Sequence, residues 1–268
     1  MNPNVPSQSS PATPAYGLAA LRSIRYSSLF DSSIFQTPLF IAGLGAIGHN
    51  VALRAAQMGY TSLHLCDFDR VSEENLGPQG FWPAHINSLK TEATRTLISH
   101  INPSCSVSLY DQPISPNYCP PVPPGCVYIS CIDNMAGRES LFDHFLRDSS
   151  AYAFFDNRMA AMSHTILYVP GPDETDTGLG SDHLPPDDDY VKAYRSTLFS
   201  DAEGHQAPCT ARATTFCSDL AAALTLAAVT RTLNGSSIPF RLLTSLSDFT
   251  MEATDCDTHS AYSTHPSP

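Results

Sequence analysis

The sequence predicts an α/β chain on a doubly wound, mostly parallel sheet with a C-terminal helix–strand extension, and three observations predict it. The first is a short apolar run, Pro38-Leu39-Phe40-Ile41-Ala42, that meets glycines at Gly43, Gly45 and Gly48, as a buried strand entering a tight turn would. The second is a helical face made by Val51, Ala52, Ala55, Ala56 and Met58 and closed by Gly59. The third is another strand pattern, Ser62-Leu63-His64-Leu65-Cys66, stopping at Asp67. Strand, glycine turn, helix and strand within about thirty residues make the unit from which open parallel sheets are wound.

The remaining elements follow in order. Residues 1–16, rich in Pro, Ser and Asn, read as a loosely attached tail, and residues 18–30 carry a helix-compatible apolar pattern. A helix is expected over residues 84–101, ended by Asn102-Pro103, and a third strand over 106–109. Val127-Tyr128-Ile129-Ser130-Cys131 reads as a buried strand, followed by a helix over 138–147 and strands over 152–155 and 166–169. Residues 170–207, rich in Pro, Gly and Asp, read as a long mobile insertion, with the acidic run Asp187 to Asp189 as a solvated loop. A long apolar helix over 212–233 closes at Asn234-Gly235, a last strand is expected over 242–249, and residues 253–268 again read as tail. One domain spanning 17–252 accommodates all of this.

Composition narrows the function. Hydrophobic residues make up 42% of 268 residues, enough for a sizeable core. A formal net charge of −12 with 14 Lys plus Arg argues against nucleic acid or anionic lipid as a partner. No run of about 18 consecutive apolar residues suggests a membrane span, and the N-terminus lacks a basic segment followed by an apolar run. Eight cysteines without a close CxxC pair suit reduced thiols in the cytoplasm rather than a disulfide framework. The histidines show no HxxxH spacing and there is no GxSxG elbow, so neither a zinc hydrolase nor a serine hydrolase is suggested.

A glycine turn between strand and helix lets backbone N–H groups approach phosphates, and an acidic residue such as Asp67 at the end of the next strand can hold a ribose. That much fits NAD as well as ATP. The residues beyond discriminate: Asp67-Phe68-Asp69-Arg70-Val71, then Asn75-Leu76, Gln79, Lys90, Ile101-Asn102-Pro103, and later Cys131-Ile132-Asp133-Asn134 with Arg138. In this order they resemble the ThiF/MoeB/HesA family, the adenylation core shared with ubiquitin-activating enzymes, over most of the chain. The resemblance implies a Rossmann-like fold and binding of ATP and Mg²⁺ along the glycine turn. Asp67 and Asp69 belong to its nucleotide motif, with Asp67 on the ribose. Asn75, Gln79 and Lys90 would line the phosphates, and Asp133, beside Asn134, would hold the metal. Lys90 would neutralise charge on the phosphate oxygens. Taken singly, Lys90 reads equally as an exposed helix lysine and Asp133 as a helix N-cap.

The resemblance further implies a homodimer acting on a ubiquitin-like or sulfur-carrier protein with a flexible C-terminal tail, with residues 170–207 as the crossover loop that would cover that tail. Pro208-Cys209-Thr210-Ala211-Arg212 resembles the stretch around the family's thioester cysteine. Cys209 is then either an acyl acceptor or a buried cysteine at a helix start, whereas Cys217 reads as core. Two departures stand out: Pro78 and Ser28 occupy positions where the family carries phosphate-binding arginines. Arg54, Arg70 and Arg158 are the candidate substitutes. His49 either points at phosphate or faces solvent, and Asp156-Asn157-Arg158-Met159 either contacts substrate or forms a turn. The rival readings are a non-catalytic ATP-binding scaffold and an NAD-dependent oxidoreductase. The second leaves Asn75, Gln79, Lys90 and the Cys131–Asn134 element without a role.

Overall fold

A computed structural model describes residue 22 and residues 25–172, 188–199 and 213–256. Eight strands form one sheet in the order β3-β2-β1-β4-β5-β6-β7-β8. Strands β1 (Leu39–Ala42), β2 (Ser62–Cys66), β3 (Ser106–Tyr110), β4 (Val127–Ser130) and β5 (Ala153–Ala160) run parallel. Strands β6 (Ser163–Pro170), β7 (Arg241–Ser245) and β8 (Thr250–Thr254) follow as an antiparallel meander. The doubly wound sheet and the extension beyond it are as the sequence predicts.

All four β1 residues are buried because both faces of the central sheet are covered. Leu39 and Ile41 face a core layer shared with α1 (Ala46–Met58), α2 (Lys90–Ile101) and α5 (Thr215–Leu233). Phe40 and Ala42 face the opposite layer, which holds α3 (Met135–Arg147) and α4 (Asp189–Ser196). Helix α5 is apolar and long enough to cross a membrane, but Cys217, Ala221, Ala222, Leu226 and Val229 are buried within the protein. Gly59, at φ 110°, ends α1 in the left-handed conformation expected of it.

Several expected boundaries move. In the described part of the 18–30 segment, residues 25–30 form turns, with Tyr26 O accepting from Leu29 N and Phe30 N. The helix expected from residue 84 begins at Lys90: Pro83–His85 is a separate short 3-10 turn, and Asn87 at φ 70° breaks the path between them. The expected loop 170–207 contains α4, whose N-cap Asp188 accepts from the Tyr190 and Val191 amides. Thus Asp188 and Asp189 begin a helix, an acidic start that complements the helix dipole. The strand expected over 242–249 is a hairpin instead. It turns at Phe249, φ 56°, so β8 takes in Ala253 and Thr254 from the expected tail.

Candidate functional site

The chain winds outward in opposite directions from the adjacent pair β1 and β4, and open α/β sheets receive ligands in the crevice at the carboxyl ends of such a pair. Gly43 follows β1, Asp67 follows β2, and residues 131–133 follow β4, so three segments of the predicted motif meet at this edge.

Gly43 sits at φ 88°, and a Cβ on it would lie 2.6 Å from Cys131 O. A Cβ on Gly48 would lie 1.9 Å from Gly43 O, so the turn closes against the β4 end only without side chains there. Gly45 differs: nothing lies within 4 Å of its virtual Cβ, and as N-cap of α1 it supplies no side-chain hydrogen bond. Space is thus left beside Gly45 at the start of α1, where a helix N-terminus can receive an anion.

Asp67 locks that turn to the rest of the edge. Its Oδ2 accepts from Leu44 N at 2.6 Å and its Oδ1 from Asp69 N at 2.8 Å. Each oxygen keeps a second lone pair, available to hydroxyl donors. Burial raises the Asp67 pKa, opposed by Lys90 and by the two amides. Lys90 opens α2 and is 7% exposed, so the exposed-lysine reading is wrong. Its Nζ donates to Asp69 Oδ2 at 2.9 Å while its own amide donates to Asp69 O.

Asn75 ends a 3-10 turn, where its Oδ1 accepts from Ser72 N at 3.0 Å, and its carbonyl accepts from Gln79 N. Gln79 Oε1 is buried without a partner. The intervening backbone is pinned to the start of α5, where Thr215 Oγ1 donates to Gly77 O and Ser218 Oγ to Pro78 O. Asp133 and Asn134 are exposed, and the N-cap of α3 is Asn134, whose Oδ1 accepts from Gly137 N at 2.8 Å. Asp133 is left outside the cap, accepting from Asn134 Nδ2 at 3.3 Å.

Other expectations change. His49 neither faces solvent nor meets the crevice; it is fully buried, against Phe81, with its Nδ1 2.9 Å from Thr94 Oγ1. Residues 156–159 lie in β5 rather than in a turn. Asp156 there is fully buried between Arg138 and Arg158 and also accepts from Tyr194 OH. The sequence singled out the Asp156–Met159 stretch and Arg138 separately, but not that both arginines meet one strand aspartate. None of the three candidate substitute arginines is uncommitted. Arg54 donates to Gln57, Arg70 to Asn87 O, and Arg158 to Asp156 and Thr197. Cys209 lies outside the described residues; Cys217 is buried, and burial pushes its thiol up.

Among the described residues no three His, Cys, Asp or Glu side chains group to hold a metal. Magnesium commonly takes one or two carboxylates with phosphate oxygens and water. The exposed Asp133 fits that role as one ligand of an ion carried by a nucleotide.

Over 118 residues the chain is 33% identical to the tRNA threonylcarbamoyladenosine dehydratase of Haemophilus influenzae, a match covering 42% of this chain and 44% of that protein. Over 110 residues it is 31% identical to the adenylyltransferase and sulfurtransferase MOCS3 of Drosophila virilis, covering 40% and 24%. The chain therefore spans less than half the length of these curated relatives. The crystal structure of E. coli MccB with succinimide matches 90% of this chain and 72% of its own at TM-score 0.66 and 16% identity, a likeness of fold. A model of the ThiF family matches residues 24–255, which hold the glycine turn, Asp67, Lys90 and the Asp133 turn alike, and the chain belongs to that family.

Proposed function

We propose that the protein adenylates a substrate carboxylate, of the kind carried at the C-terminus of a ubiquitin-like or sulfur-carrier protein, and does so with ATP and Mg²⁺. The observation that carries this is the single crevice lined by an uncapped helix N-terminus, Asp67 and the buried Lys90 paired to the exposed Asp69. E. coli MccB, alike in fold, has been crystallised with ATP. In the reaction a carboxylate oxygen bonds to the α-phosphorus and pyrophosphate leaves. Asp67 would accept hydrogen bonds from the ribose while holding the glycine turn through Leu44 N. The first amides of α1 would receive phosphate oxygens. Lys90, already charged toward Asp69, would swing or share its ammonium to offset charge growing on the phosphates. Asn75 and Gln79 would orient them, and Asp133 would supply a protein ligand to Mg²⁺. Transfer of the acyl group to Cys209, and assembly as a homodimer, belong to the same reading.

A second reading has its own observation. In this structure Arg54 bonds to Gln57, Arg70 to Asn87 O and Arg158 to Asp156, so none of them stands in for the cations lost at Ser28 and Pro78. That favours a protein that binds ATP without turning it over. ATP–pyrophosphate exchange with carrier proteins ending in Gly-Gly separates the two. Carrier-dependent exchange abolished by Lys90→Ala and by Asp133→Ala supports adenylation; saturable ATP binding with no exchange supports the binding-only protein.

A further inference from the structure

A second cleft lies on the other half of the sheet, with a volume of roughly 300 Å³. Its walls are Arg158 of β5, Thr165 and Leu167 of β6, Arg241 of β7, Ser196 at the end of α4, and Phe199. Register explains why these meet. Arg158 pairs with Thr165, and Leu167 pairs with Arg241, so all four side chains stand on the face that carries α3 and α4.

The electrostatics of this cleft oppose those of the whole chain, which carries a net charge of −12. Asp156 meets both Arg138 and Arg158 and can neutralise only one of them. Arg241 adds a further cation, and among the described residues its guanidinium forms no ion pair. Glu252 stands on the neighbouring strand beside Leu243 and is exposed, without bonding to Arg241. Arg158 spends three of its five N–H groups on Asp156 Oδ2, Thr197 O and Thr197 Oγ1, which leaves two for a ligand. Hydroxyls at Thr165 and Ser196 add neutral donors, while Leu167 and Phe199 supply apolar walls.

We propose that this cleft binds a carboxylate side chain of a peptide segment, with the apolar walls taking a neighbouring aliphatic residue. Two guanidinium groups suit the planar, two-oxygen acceptor, and a cleft of this size encloses a side chain or two. That the peptide belongs to the substrate rests on the adenylation reading. The cleft lies on the strand edge that serves the crevice: Asp156 pairs with Ser130, the last residue of β4 before the Asp133 turn, and Arg138 of α3 reaches it.

The test is a calorimetric or saturation-transfer NMR titration of the full chain without ATP, using acetyl-Leu-Glu-amide and acetyl-Leu-Gln-amide. The glutamate peptide should bind on the order of tenfold more tightly, the difference a charge-assisted pair supports. Arg241→Met should remove that preference and Arg241→Lys should restore part of it. Equal binding of the two peptides to the native chain, or a preference that survives Arg241→Met, overturns the proposal. So does inorganic phosphate displacing the glutamate peptide at lower concentration than the peptide itself binds. Because no nucleotide is present, failure here is separate from failure of ATP binding or pyrophosphate exchange.

Discussion

Two ionic clusters stand at the two halves of the sheet, and they are built to opposite specifications. Around Asp156 the carboxylate itself is enclosed: it is 0% exposed, with one oxygen on Arg138 and the other on Arg158 and the Tyr194 hydroxyl. It ties α3, β5 and α4 together on one face. At the crevice, Lys90 is also buried, but its partner Asp69 is 53% exposed at the side chain. The enclosed carboxylate has no acceptor left for a ligand and serves the fold, while Arg158 at its rim keeps two N–H groups toward the second cleft. An open one holds a cation in place while leaving solvent, or a phosphate, free to compete for it.

Breaking the enclosed cluster should cost the most. Asp156→Asn leaves two largely buried guanidinium groups without their counter-charge, a loss of about 3–5 kcal/mol. In a chain of this size that lowers the melting temperature by roughly 10 °C. A denaturant melt showing a loss below about 1 kcal/mol would sink the distinction. Gly48→Ala should follow closely. Its Cβ would collide with backbone at Gly43 rather than with a movable side chain, costing about 2–3 kcal/mol. The same change should abolish saturable ATP binding by equilibrium dialysis, because the turn must open to relieve the clash.

Two buried histidines give a smaller effect that depends on pH. Thr94 Oγ1 donates to Lys90 O, so it accepts from His49 Nδ1–H, and the opposite ring nitrogen is buried without a partner. His164 likewise meets Asn157 Oδ1 through Nε2, leaving Nδ1 without one. Burial pushes His49 down to about 3 and His164 to about 4, from 6.5. Below pH 6.5 the unfolded chain binds protons that the native chain refuses. Stability is therefore intact above 6.5 and falls as pH drops, until about 4 for His164 and about 3 for His49. Each contributes a slope of up to about 1.4 kcal/mol per pH unit in that window. Unfolding free energies from pH 7 to 4.5 should show it, and His164→Gln should flatten the slope by about one proton whatever it does to the midpoint. An unchanged slope would mean that His164 titrates normally in the native state.

The order of the sheet was legible where sequence periodicity and glycine spacing act locally. Leu39 to Asp67 reads as strand, turn, helix and strand because burial on both faces of β1 and the steric demands of Gly43 and Gly48 leave short-range marks. The cradle around Asp67 and Lys90 was legible through the ordered family motif. What escaped depends on partners far along the chain. The Asp156 cluster joins the Asp156–Arg158 stretch, which the sequence singled out, to Arg138 and Tyr194 on separate helices, and no local pattern links those three segments. His49 looked like a helix-surface residue because the α2 helix and Phe81 that cover it come more than thirty positions later. The start of α2 was misplaced for a local reason, since Pro83 favours a helical turn that Asn87, in the left-handed region, then ends.

The smallest stability effect belongs to the open pair, and there the comparison is sharpest. Asp69→Asn removes a half-exposed charge whose ion pair is screened on one side, so the cost should be at most about 1 kcal/mol. It also frees Lys90 from its resting partner. Lys90→Ala should likewise leave the melt within about 2 kcal/mol of the native protein, while carrier-dependent pyrophosphate exchange falls on the order of a hundredfold or more. Measured side by side, the two substitutions separate holding the lysine from using it. Exchange lost equally in both would make Asp69 part of the nucleotide site. If Asp69→Asn keeps most of the exchange and only Lys90→Ala loses it, the aspartate is a perch for the cation. Exchange that survives Lys90→Ala in a folded protein would take the lysine out of the reaction altogether.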